Sequence, residues 1–76
     1  HDKIRVVARP NPFTFEKKEF FEPVGRTVAE LVEKSGLARE FAAVHIGTEY
    51  VPSDIWHVVR AKPGCQVSIV FVPQGG

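Results

Sequence analysis

The sequence predicts an α+β fold, in which one helix lies across a mixed sheet of four to five strands. Three observations predict it: a helix-capping motif near the middle of the chain, a hairpin signal on each side of that motif, and a last strand that is apolar on both faces. A strand that is apolar on both faces usually lies in the centre of its sheet. The 76 residues, with a net charge of +1, fit one small domain spanning residues 1–76.

The first two strands are predicted from side chains that alternate in polarity. Residues 3–9 alternate between an apolar and a mostly polar face, which is typical of a half-buried strand. Pro10 and Pro12 then turn the chain, because proline supplies no donor to a strand ladder. Alternation resumes over residues 13–22, which predicts a second strand paired with the first as a hairpin.

The helix has the clearest local signal. Thr27 and Glu30 have the spacing of a capping box, in which each side chain bonds the backbone N–H of the other residue. Gly36 stands where a left-handed C-terminal cap is favoured, so we expect the helix to end near Ser35. An apolar stripe on this helix should pack under the sheet, and the core is predicted to contain Val28, Leu31, Val32, Ile4, Val6, Val44, Val67 and Ile69.

After the helix the chain returns to strands. Residues 42–46 predict a third strand, and Gly47–Thr48 suits a two-residue turn into a short fourth strand. Residues 52–54 predict a single helical turn. Residues 66–72, after a Pro-Gly turn, predict the last strand.

The single helical turn is expected to present three side chains to the core. These are Ile55, Trp56 and Val59. With the terminal strands side by side in the centre, the whole order of elements predicts a ubiquitin-like β-grasp.

The composition points away from several classes of function. The charges are interspersed, so neither a nucleic acid nor a membrane is an expected partner. His45, His57 and Cys65 are the candidate metal ligands, but their wide spacing lacks any paired motif and the set leaves a tetrahedral site incomplete. We expect no metal, no cofactor and no catalytic residues, and therefore no enzyme.

The first hairpin carries more phenylalanine than one strand face can bury. Its four phenylalanines are Phe13, Phe15, Phe20 and Phe21. We expect at least one of them to be substantially exposed and to contact a partner.

The second half of the chain, VHIGTEYVPSDIWHVVRAKPGCQVSIVFVPQGG, resembles the small β-grasp sulfur carriers of thiamine and molybdopterin synthesis. Val51-Pro52, Trp56 and the Pro-Gly turn carry this resemblance. It implies that an E1-like enzyme adenylates Gly76, at the end of the Gly75-Gly76 tail, and that a sulfur donor then converts it to a thiocarboxylate.

The first half departs from the carriers, whose opening hairpin is short. The stretches IRVVARPNPF and RPNPFTFEKKEFFEPVG resemble the β-grasp domain at the start of bacteriophage tail-tip, or host-specificity-type, proteins. This resemblance covers nearly the whole chain and is favoured over the carriers. It implies a non-catalytic module that contacts other phage tail proteins, in the bacterial cytoplasm during assembly and then in the virion tail. It also implies an N-terminal domain excised from a longer chain, which continues past Gly76 through a glycine-rich linker, as the absence of methionine suggests.

Overall fold

The structure is a computed structural model that describes residues 3–9 and 17–73. It contains five strands, one α-helix and two short 3₁₀ helices within these residues. The elements in chain order are β1 (Lys3–Arg9), β2 (Lys18–Pro23), α1 (Val28–Ser35), a first 3₁₀ helix (Arg39–Phe41), β3 (Ala42–Ile46), β4 (Glu49–Val51), a second 3₁₀ helix (Ser53–Ile55) and β5 (Gln66–Phe71).

The five strands form one mixed sheet in the order β2-β1-β5-β3-β4. β1 and β5 are parallel neighbours, whereas β2 pairs with β1, and β3 with both β5 and β4, in antiparallel fashion. The first and last strands therefore lie side by side in the middle of the sheet, as the sequence predicts. The α+β class is confirmed, and the arrangement is consistent with a β-grasp-like fold.

The core lies between α1 and one face of the sheet. Leu31 is fully buried, with 0% of its surface exposed. The remaining predicted core residues join it in one apolar cluster: Val28, Val32, Ile4, Val6, Val44, Val67 and Ile69. The predicted core is therefore confirmed.

The ends of α1 follow the local sequence. The Glu30 N–H donates to Thr27 Oγ1 at 3.3 Å, and the Thr27 N–H donates to Glu30 Oε1 at 2.8 Å, which completes the capping box. Gly36 ends the helix with a φ of 85°, a conformation that glycine adopts without a Cβ penalty.

The loop after the second 3₁₀ helix satisfies two further donors at the start of α1. The Val28 N–H donates to the Val59 carbonyl at 2.9 Å, and the Ala29 N–H donates to the Trp56 carbonyl at 3.1 Å. The first backbone N–H groups of a helix have no acceptor within the helix. At this buried terminus the two loop carbonyls serve as their acceptors in place of water. They fix the loop against the helix terminus.

Trp56 occupies the centre of this contact. Its indole is buried, and Nε1 donates to the Val51 carbonyl at 2.8 Å. The Arg39 guanidinium lies 5.7 Å from the ring centroid, within the range of a cation–π interaction. Through its indole and its backbone carbonyl, this one residue joins β4, the start of α1 and the connection that follows α1.

Two expectations for the chain's elements need correction. Ile55 is 39% exposed and does not enter the core, although Trp56 and Val59 do contact it. Successive residues of a 3₁₀ helix point about 120° apart, so Ile55 cannot share the inward direction that Trp56 takes.

The second correction concerns the start of β2, which begins at Lys18 because Lys17 is outside the strand. Residues 13–16, the first part of the predicted strand, lie outside the described residues.

The buried position of Leu31 gives the first prediction. Leu31→Ala should lower the free energy of unfolding by about 2–5 kcal/mol, because it removes buried methyl groups and leaves a cavity. Urea denaturation of the two proteins measures this difference. Glu33→Ala, on the exposed side of the same helix, is the matched control and should change it by less than about 0.5 kcal/mol. Equal losses in both variants would contradict the packing of α1 described above.

The capping box gives a prediction about pH. Its hydrogen bonds from the Thr27 backbone and hydroxyl, with a smaller contribution from Arg26, lower the pKa of Glu30 below its ordinary value. The ionised Glu30 carboxylate therefore stabilises the folded protein fully above the unfolded-state pKa of this group, near 4.5. This stabilisation is lost as the pH falls through the lower folded-state pKa of Glu30.

Glu30→Gln tests this dependence, since glutamine cannot titrate. The difference in unfolding free energy between the parent and this variant should shrink as the pH falls below about 4.5. Thermal unfolding across pH 3 to 7 measures it, with Glu33→Gln as the control outside the capping box. If the difference in unfolding free energy stayed constant over this pH range, the ionised Glu30 carboxylate would not be what stabilises the helix terminus.

Candidate partner-binding surface

Of the four phenylalanines predicted to include a partner contact, Phe20 and Phe21 lie within the described residues. Phe20 is partly buried and packs against the core, whereas Phe21 is 56% exposed. Phe13 and Phe15 lie outside the described residues. The exposure expected of at least one of the four is found at Phe21, and a contact with a partner remains a prediction.

The register between β1 and β2 explains the difference. Phe20 lies opposite Val6 and so shares the face that packs on α1. Phe21 lies opposite Arg5, on the face of the sheet turned away from α1. Because consecutive side chains of a strand point to opposite faces, only one of the two neighbouring rings can enter the core.

Phe21 forms one wall of a small hollow beside the start of β5. This Phe21 hollow has a volume of about 260 Å³ and is lined by Lys3, Arg5, Phe21, Gly64, Cys65 and Gln66. It combines an exposed aromatic ring with two basic side chains and the backbone of a turn.

An ion pair next to the Phe21 hollow holds one of these basic groups. Arg5 Nη2 donates to Glu19 Oε2 at 2.6 Å, across the β1–β2 pair. This hydrogen bond from Arg5 lowers the pKa of Glu19 below its ordinary value. The ionised Glu19 carboxylate keeps the Arg5 side chain along the sheet, near the Phe21 ring.

A larger groove lies on the other side of the turn that precedes β5. This β4 groove has a volume of about 650 Å³, within the roughly 300–1,000 Å³ typical of ligand pockets. Its lining is Ile46, Gly47, Glu49, Tyr50, Val51, Ile55, Val59, Arg60, Ala61, Lys62, Gly64, Cys65 and Gln66. The segment 64–66 lines both the groove and the Phe21 hollow, so the two concavities adjoin.

Sequence reasoning missed the β4 groove. Its two exposed apolar side chains are Tyr50, in the edge strand β4, and Ile55, which the sequence assigned to the core. The groove forms only when the β3–β4 hairpin and the loop 55–66 meet, and residues far apart in sequence give no local sign of such a meeting. The one available signal was Ile55 directly beside Trp56 in a turn too short to bury both.

The candidate metal ligands do not come together. His45 is half-buried, and its ring packs edge-on against Tyr50 at 5.5 Å, while His57 is exposed. Cys65 is partly exposed and lies between the two concavities. Among residues 3–9 and 17–73, no group of three His, Cys, Asp or Glu side chains is placed to hold a metal ion.

Two remaining features concern the tail and the membrane. Gly75 and Gly76, the tail predicted from the sulfur-carrier resemblance, lie outside the described residues. In the part of the chain that the structure describes, α1 included, there is no helix with the length and apolar character needed to span a membrane.

Comparison with known proteins identifies a matching family. A family model described as bacteriophage lambda tail assembly protein I matches residues 2–76. No curated protein matches the sequence. The family match covers all the residues that form the sheet, α1 and the two concavities.

Proposed function

The chain belongs to the family of bacteriophage lambda tail assembly protein I, and on that premise we propose that it is a binding module that contacts other tail proteins while the tail tip assembles. In this proposal it performs no chemistry of its own. It acts in the bacterial cytoplasm during assembly and then in the virion tail. The family match supports this function. It lends no support to the alternative function, that of a sulfur carrier, which the resemblance of the second half of the chain implies.

The observation that carries the proposed contact is the exposed ring of Phe21. Aromatic and arginine side chains are enriched at the centres of protein interfaces, where a ring buries a large area at a small entropic cost. Phe21 lies opposite Arg5 in the strand register and lines a hollow that a partner side chain could enter. We therefore assign the partner contact to Phe21, with Phe20 fixing the strand against the core.

Another exposed phenylalanine fits a structural role better. Phe41 stacks on Phe71 with ring centroids 5.8 Å apart, and its carbonyl accepts the Val72 N–H at 2.8 Å. These contacts hold the end of β5. No comparable stacking partner faces the Phe21 ring within the described residues 3–9 and 17–73. The proposed contact extends to Phe13 and Phe15, which the sequence pattern assigns to the same hairpin.

The proposal predicts that Phe21→Asp blocks assembly without unfolding the protein. In a host whose prophage lacks this gene, the variant supplied in trans should reduce the yield of infectious particles on the order of tenfold or more, since an aromatic interface anchor commonly contributes about 2 kcal/mol. Plaque counts and electron microscopy of the particles measure the loss. Because Phe21 is exposed, the thermal midpoint of the purified variant should be nearly unchanged.

Val58→Asp is the matched control, since Val58 is 57% exposed and lines neither concavity. It should assemble particles at the parental yield. Normal yields with Phe21→Asp would refute the assigned contact, and equal losses with both variants would show that a general change of the surface, and not the Phe21 ring, limits assembly.

A further inference from the structure

The β4 groove has an apolar floor and a polar rim. Val51 and Ala61 are buried beneath it, while Ile55 and Val59 add aliphatic surface along one wall. The exposed Tyr50 stands on the opposite side, in β4. A floor of this kind suits an apolar side chain of a partner.

Hydrogen bonds to the backbone fix both walls of the groove. The Gly47 N–H donates to the Gln66 carbonyl at 3.0 Å and holds the β3–β4 hairpin to the start of β5. The opposite wall is held to α1 through the Val28–Val59 bond, and Arg60 Nε donates to the Gly25 carbonyl at 2.9 Å. A groove with both walls fixed is already formed before a partner arrives, so binding carries a small ordering cost.

The rim carries an excess of positive charge. Arg60 and Lys62 are exposed on the loop side, and Glu49 is the acidic residue of the lining. The adjoining Phe21 hollow adds the positive charge of Lys3, whereas the charge of its Arg5 is paired with Glu19. Among the described residues, no salt bridge includes Arg60 or Lys62, although the charge of Arg60 also contributes to lowering the pKa of Glu30. On a chain of net charge +1, this end of the molecule is locally basic.

The position of β4 indicates the shape of the occupant. β4 is an edge strand that pairs with β3 on one side. The groove extends from this strand across the end of β3 to the start of β5 and is open to solvent, which suits an extended chain segment better than an enclosed small molecule.

We propose that the β4 groove binds an extended segment of a partner protein, with an apolar side chain on the surface of Ile55 and Val59 and a following carboxylate between Arg60 and Lys62. Opposite charges across an interface fix the register of the two chains and disfavour wrong partners. This inference rests on the proposed function only in taking the partner to be another tail protein. The groove is a different surface from the Phe21 ring.

A pair of blocked hexapeptides tests the inference: Ser-Ser-Leu-Glu-Ser-Ser and Ser-Ser-Leu-Lys-Ser-Ser. Each is titrated into the ¹⁵N-labelled 76-residue chain, and amide chemical shifts report the binding. The acidic peptide should shift the amides of residues 47–51 and 59–66 and should bind about threefold or more tightly than the basic one, as expected for partly exposed charges.

Three variants separate the contributions. Lys62→Glu should reverse the preference between the peptides, whereas Lys18→Glu, the same charge change on β2 away from the groove, should leave it unchanged. Ile55→Ser should weaken the binding of both peptides to the same extent, because it removes apolar surface from the groove. Phe21→Asp should leave peptide binding intact even if it blocks assembly, so the two proposals fail separately.

Several results would overturn the inference. They are the absence of shifts in these amides, equal binding of the two peptides, or shifts confined to the Phe21 hollow. Shifts at the groove that depend on protein concentration without peptide would assign it to a second copy of the chain, which also contradicts an acidic segment as occupant.

Discussion

The docking of Trp56 holds together the parts of the chain that the sheet alone does not connect. Its indole donates to β4, its carbonyl accepts from the start of α1, and its ring faces Arg39 in the connection after α1. A buried indole N–H and the first N–H groups of a helix both require acceptors, since water no longer reaches them. One loop supplies these contacts, so the helix terminus, the edge of the sheet and the loop take fixed positions together.

The candidate surfaces are consequences of this docking. With residues 56–60 fixed against α1, Ile55 is turned outward and Arg60 and Lys62 lie along the rim of the β4 groove. On the other side of the turn before β5, the register of β1 and β2 exposes Phe21. The two concavities share the segment 64–66 and thus form one broad, locally basic end of the sheet. A binding module needs such a surface to be rigid before its partner arrives, and the core behind it provides that rigidity.

Features specified by near neighbours were predictable from the sequence. The capping box between Thr27 and Glu30 and the two-residue turn at Gly47 depend on residues within one turn of each other. The central position of β5 was predicted from the apolar character of both its faces, and its pairing with β1 from the whole order of elements. The exposed side chain of Phe21 was predicted only as one of four, because choosing among them requires the strand register. The β4 groove was not predictable, because its walls come from segments that meet through the docking of Trp56.

Hydrogen exchange in the assembled particle tests most directly whether this end of the sheet is the interface. Amide exchange is compared between the free chain and the same chain in purified tails, by mass spectrometry of peptic fragments. Added protection over residues 19–23, 47–51 and 59–66, with little change on the exposed side of α1, is the expected result. Protection concentrated on α1, or exchange equal in the free and assembled states, would contradict a partner-binding surface at Phe21 and the β4 groove.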